Sequence, residues 1–211
     1  MKPFFLAASF SMCQALSALS ADLDKPAACT FYLNVNPGVA WMQPVSFSDP
    51  NDSGKLQFNP GPTLNLAGGY NFTETLSCEL ETGALFLFHS NTRFNGVEDV
   101  HDDLLQIPVM ANLRYRIPLH SRFHPFVGAG VGGVHTQMYD VEGIAGINTT
   151  SVGSDFTFGY QAFAGCRYQI SPVVELGLEY KFVGTLEQTL GDLHMGETRT
   201  HSGAVSISLR F

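Results

Sequence analysis

The chain has 211 residues, a formal net charge of −8 and 14% charged residues, with 21 Gly, 17 Phe and 7 Tyr. Such an acidic chain has no electrostatic basis for holding nucleic acid. After the N-terminal stretch no apolar run is long enough for a transmembrane helix, and a Gly- and aromatic-rich chain of this kind points to a β-barrel, whose membrane signal is weak per segment.

Met1-Lys2 is a basic start, and an apolar stretch runs from Phe4 to Leu19. Ala18-Leu19-Ser20 is a small-x-small site, so residues 1–20 read as a secretory signal peptide and 21–211 as one mature domain. Phe10-Ser11-Met12 before Cys13 lacks the Leu-small-small pattern of a lipoprotein. Cys29, Cys78 and Cys166 remain, an odd and widely spaced set that is neither a disulfide framework nor a zinc site. A Cys29–Cys78 bridge stays open beside the reading of Cys78 and Cys166 as small wall residues.

Alternation of apolar and polar residues places strands at 31–42, 62–72, 75–90, 104–117, 122–137, 155–169, 173–184 and 200–211. The connections alternate in kind. Short turns fall at Asn71-Phe72-Thr73-Glu74, Pro118-Leu119-His120-Ser121 and Ile170-Ser171-Pro172, and long loops at 43–61, 91–103, 138–154 and 185–199. Short turns at one end and long loops at the other are the pattern of an outer-membrane barrel with both termini in the periplasm. The predicted fold class is therefore all-β, an eight-stranded antiparallel up-and-down transmembrane β-barrel. Pro37 and Pro108 fall inside strands, where a closed barrel offers no edge, so bulges are expected there.

Each strand has an apolar and a polar face. A lipocalin-like soluble barrel turns the apolar face inward, a membrane barrel outward. Aromatic positions favour the second. Phe31, Tyr70, Tyr115, Phe123, Tyr168 and Phe211 lie near the short-turn end; Trp41, Phe86, Phe88, Phe156, Phe158 and Phe182 lie near the long-loop end. Two aromatic girdles match two membrane interfaces. The polar face carries Glu79, Glu81, Glu175 and Glu179 against Arg114, Arg116, Arg167, Lys181 and Arg210. In so narrow a barrel these charges are expected to pair across the lumen and plug it.

Within Phe123–Gly133, Gly128, Gly130 and Gly132 share the lumen face, making room for Arg and Glu side chains opposite. Gly128-Ala129-Gly130 is no dinucleotide fingerprint, because no helix pattern follows it. An aromatic-x-Gly-x-Gly-x-Gly strand, Ile107-Pro108-Val109, the short turns and the terminal Phe resemble the OmpA/OmpX-like outer-membrane barrels over essentially the whole mature chain. The resemblance implies a bacterial outer-membrane location, contact with outer-membrane lipid and lipopolysaccharide, and Phe211 as part of the signal read by the barrel-assembly machinery. Val205, Ile207 and Leu209 share the Phe211 face of the closing strand, and Arg210 points the other way.

Phe88-His89-Ser90-Asn91 resembles the His-x-Ser-Asn motif of outer-membrane lipid A deacylases, but His89 and Ser90 are adjacent and so face opposite sides of a strand. His101-Asp102-Asp103 offers a weak cation site or an acid–base pair without a fixed partner, and omptin-like proteases use a larger barrel. No catalytic residue, metal or cofactor is assigned. Twelve acidic residues gather at the long-loop end: Asp49, Asp52, Glu98, Asp99, Asp102, Asp103, Asp140, Glu142, Asp155, Glu187, Asp192 and Glu197. Their expected role is solubility, with cation-mediated contact to lipopolysaccharide, or a basic partner, as the functional alternative. A structural or surface-interaction barrel is the expectation; a narrow channel for small solutes or ions and a lipid-modifying hydrolase are the alternatives.

Overall fold

A computed structural model describes residues 30–49, 52–89, 102–119, 121–142, 148–190 and 193–211. The expected leader (1–20), Cys29, Ser90-Asn91 and His101 lie outside the described residues. Thirteen strands appear in chain order: β1 Thr30–Met42, β2 Val45–Asp49, β3 Asp52–Leu56, β4 Phe58–Asn59, β5 Gly61–Asn71, β6 Leu76–His89 and β7 Asp102–Arg116, then β8 Phe123–Glu142, β9 Asn148–Gln169, β10 Val174–Thr185, β11 Gln188–Leu190, β12 Leu193–Met195 and β13 Arg199–Arg210. No helix among the described residues is long and apolar enough to cross a membrane.

Eight of the strands form an antiparallel meander, β6-β5-β1-β13-β10-β9-β8-β7, and a β6–β7 ladder closes it. Closure leaves no edge to template aggregation. At the seam Tyr32 stands opposite Arg210, and the Phe211 N–H donates to the Phe31 carbonyl at 2.9 Å. The two-residue period sorts side chains: Leu80, Leu113, Val131 and Leu178 are more than half exposed on the outside, while Glu79, Asn112, Arg114 and Glu179 are buried inside. Cys166 is exposed and Cys78 half-buried, both as free thiols.

Three expectations need correction. First, β8 and β9 run past 137 and start before 155, pairing from Phe123/Tyr168 up to Glu142/Asn148 with one register shift at Met138/Tyr139. Second, the segments 43–61 and 185–199 carry strands: β11-β12-β2-β3 form a separate four-stranded sheet and β4 adds to β6. Third, neither proline makes a bulge. The β1–β13 ladder skips Asn36-Pro37 and resumes at Gly38/Ala204, and the β6–β7 ladder skips Ile107-Pro108, both without change of register. A missing donor is absorbed by a short gap in one ladder while the other ladder of the same strand continues, as at Pro37/Leu64 and Pro108/Val134.

Candidate functional site

The interior is filled in layers. Nearest the short turns, Glu175 on β10 gathers basic side chains: Arg210 pairs with its Oε1, His124 Nδ1 lies 2.7 Å from the same oxygen, and Arg116 Nη2 lies 3.8 Å from Oε2. One turn of the pleat deeper, Glu79 Oε1 receives Tyr32 Oη (2.7 Å) and Asn34 Nδ2 (2.9 Å), with Arg114 Nη1 also at 2.9 Å. Arg114 Nη2 reaches Glu179 at 3.4 Å. Above it Lys181 donates to Glu81 and lies 3.2 Å from Glu179 Oε1. Asn112 Nδ2 donates to Glu81 Oε2 at 2.9 Å, and Gln161 Nε2 donates to Asn112 Oδ1 at 2.6 Å.

Two lumen aromatics support these charges. The Arg114 guanidinium lies 4.5 Å from the centre of the Phe126 ring and 5.4 Å from that of Phe163. Arg167 lies 4.8 Å from Phe126. Such ring faces attract cations without supplying a counter-charge.

The glycines serve a different purpose from the one expected. A Cβ at Gly128 would strike the Phe163 ring, one at Gly130 would strike Asn112 Oδ1, and one at Gly132 would strike the Val109 carbonyl oxygen. The vacated space therefore holds an aromatic ring, a side-chain amide and a close backbone carbonyl of the next strand rather than Arg and Glu.

Toward the long-loop end the lumen changes character. A small apolar layer, Met110, Val134 and Val183, comes first. A neutral hydrogen-bonded cluster follows: Thr185 and Thr198 hydroxyls at 2.7 Å, Gln188 Nε2 donating to Thr185 at 2.7 Å, and Thr200 donating to Gln106 Oε1 at 3.1 Å. Last comes an apolar cap. Ala40, Met42, Leu85, Leu87, Leu104 and Met138 from the wall pack with Val45, Phe58, Leu190 and Met195 from the loop strands. A polar lumen plug was expected; its loop-end layer is an apolar core, and β2, β4, β11 and β12 cover it. Thr189 N–H donates to Asp155 Oδ2 at 2.8 Å, and Leu186 N–H to the Phe158 carbonyl at 3.1 Å, tying this cover to β9.

Each member of the expected charge network except Arg167 has an ionic partner. Glu79, Glu81, Arg114, Glu175, Glu179 and Lys181 are buried; Arg116 and Arg210 are partly so. Among the described residues Arg167 has no carboxylate within ion-pair distance, against the expectation that every lumen charge pairs. His124, Phe126 and Phe163 were not singled out in the sequence, although the parity of β8 and β9 puts Phe126 and Phe163 on the Gly128 and Arg167 faces.

The aromatic positions lie on the outer surface at both ends. Near the short turns, Phe31 is 4.8 Å from Tyr70 and Phe123 is 5.0 Å from Tyr168 between ring centres. Tyr115 and Phe211 are exposed there too. Near the loops, Trp41, Phe86, Phe88, Phe156 and Phe158 are exposed, and Phe182 is half-buried against Tyr160 and His201. Trp41 stacks on His201 at 5.9 Å, and His201 joins Tyr180 Oη at 2.6 Å. His89 is described in its backbone only, opposite Phe58. Among the described residues no group of His, Cys, Asp or Glu is arranged to hold a metal ion.

The chain is similar in fold to solved outer-membrane barrels. The Neisserial surface protein NspA matches with TM-score 0.56 and 15% identity, covering 86% of this chain and 97% of that one. The outer membrane protein OprG from Pseudomonas aeruginosa matches with TM-score 0.57 and 12% identity, covering 87% and 96%. The outer membrane protease OmpT from Escherichia coli matches with TM-score 0.52 and 7% identity, covering 86% and 97%. No curated protein matches the sequence significantly. The family model for the outer membrane protein beta-barrel domain matches residues 5–211, so the chain belongs to that family and is a protein of the bacterial outer membrane.

Proposed function

We propose that this protein is a plugged barrel that acts through its surfaces, as a structural or interaction protein of the outer membrane. The observation that carries this reading is the stack of three unlike fillings in one narrow lumen: a charge network, a neutral polar cluster and an apolar cap. An ion passing the charge network would still meet Leu87, Leu104 and Met138, all within 1% of full burial. The outer aromatic bands are read as contacts with lipid and lipopolysaccharide. Phe211 is read as the residue seen by the assembly machinery.

The acidic loop residues divide in this reading. Asp155 is occupied by two backbone N–H groups, and Glu197 lies 3.7 Å from Arg199. Glu98, Asp99 and Asp192 lie outside the described residues. Surface charge that keeps loops soluble accounts for the remainder, and no catalytic role is assigned to His89 or to His101–Asp103. Planar-bilayer recording of refolded protein tests the proposal: no conductance, or only brief small events, is expected. A stable conductance would replace it with the narrow-channel reading, and loss of an acyl chain from lipid A on expression would replace it with the hydrolase.

A further inference from the structure

The lumen charges are segregated along the barrel axis. In the deep group Arg114 and Lys181 face Glu79, Glu81 and Glu179, one negative charge in excess. At the periplasmic mouth Arg116 and Arg210 share the carboxylate of Glu175, and Arg167 has no carboxylate within ion-pair distance among the described residues, so three arginines stand against one buried glutamate. Arg167 is the cation left over. It is 4% exposed, and its Nε and Nη2 are buried without an acceptor. A Cβ at Gly177 would crowd the Arg167 stem, so this glycine gives the side chain its place. Its guanidinium carbon lies 4.8 Å from the centre of the Phe126 ring, a contact that supplies no counter-charge.

Arg167 also lines a pocket. Arg116, Arg167 and Arg210 line it with Arg114, Ser77 and Ser208, and it extends to Glu74 and Thr75 in the short turn between β5 and β6. Glu74 is exposed, so the space opens toward the periplasm. It has room for about one small particle. A buried guanidinium with no carboxylate in direct ion-pair contact is unfavourable, and a fixed fork of donors is well suited to an anion. We propose that this mouth is a binding site for one small inorganic anion of halide size, held by Arg167 with Arg116, Arg210 and the two serine hydroxyls.

Chloride linewidths in ³⁵Cl NMR of refolded protein in micelles test the site. Excess broadening is expected for the wild type and for R199M, whose arginine is exposed at the other end, with binding about tenfold weaker or more in R167M, the loss one charge-assisted hydrogen bond brings. E175Q removes the competing carboxylate and is expected to bind tighter. Gel mobility without boiling shows which variants are folded. Should R167M not fold, bromide anomalous scattering in wild-type and E175Q crystals decides, with a peak expected beside Arg167. Equal broadening in folded R167M, no broadening in wild type and E175Q, or no bromide peak would overturn the proposal. Phosphate competing as well as chloride would contradict the halide size.

Discussion

Lys181 on β10 donates to Glu81 on β6 across the lumen, 100 residues away in sequence. Three strands, β5, β1 and β13, separate β6 from β10 in the sheet on that side, so the pair spans the interior and ties opposite walls together. Lys181→Met leaves Glu81 and Glu179 with fewer cations in a buried site. It is expected to cost about 3–5 kcal/mol in urea unfolding from vesicles. The E81Q/K181M double variant should lose less than the two single losses combined, because the uncompensated charge is gone.

The apolar cap should behave as a soluble core. Leu87 is fully buried between wall and cover, and Leu87→Ala is expected to cost about 2–5 kcal/mol through lost burial and the cavity left. Leu190→Ala acts on the cover itself. It should speed protease cleavage in the loop strands while the folded barrel keeps its gel mobility; unchanged cleavage would show that the cover does not depend on the cap.

The eight wall strands are legible because both faces of each are committed, apolar to lipid and polar or small to the lumen. Where that rule lapses, legibility lapses too. Ala84-Leu85-Phe86-Leu87-Phe88 is apolar on both faces, so the inward Leu85 and Leu87 of the cap cannot be told from the outward Phe86 and Phe88 by hydropathy. Asn148–Ser154 is polar on both faces, so the start of β9 carries no period. β11 and β12 have three residues each, too few to show one. Parity reveals which charges enter the lumen, but not that Glu175 would attract three basic groups while Arg167 had none.

Trp41 is the single tryptophan of the chain, 39% exposed on the outer wall and stacked on His201. In lipid vesicles its fluorescence should be quenched more by lipids brominated near the headgroup than by those brominated near the chain ends. The reverse order would place the loop-end aromatic band at the wrong depth.

Phe211 closes the seam with one backbone hydrogen bond to Phe31, while the residue is 64% exposed. Phe211→Ala keeps the N–H and removes the ring. It is expected to refold in detergent about as well as the wild type, yet to assemble poorly in cells, read by the heat-shifted gel band in outer-membrane fractions. Equal losses in both settings would make the ring a stability element instead of an assembly signal.

Two strand glycines with the same backbone role separate inside from outside. Gly130 faces the lumen, where a Cβ would run into Asn112 Oδ1 and disturb its bonds to Glu81 and Gln161. Gly68 faces outward, with nothing within 4 Å of an added Cβ. In an extended strand alanine is otherwise no worse than glycine, since it loses less backbone entropy on folding. Gly130→Ala should therefore lower unfolding free energy by about 1–3 kcal/mol, as overpacking does. Gly68→Ala should leave it unchanged or slightly raised, by about 0.5–1 kcal/mol at most. The difference between them, measured by urea titration in the same vesicles, depends only on which way each residue faces; equal effects would contradict the inward parity of β8.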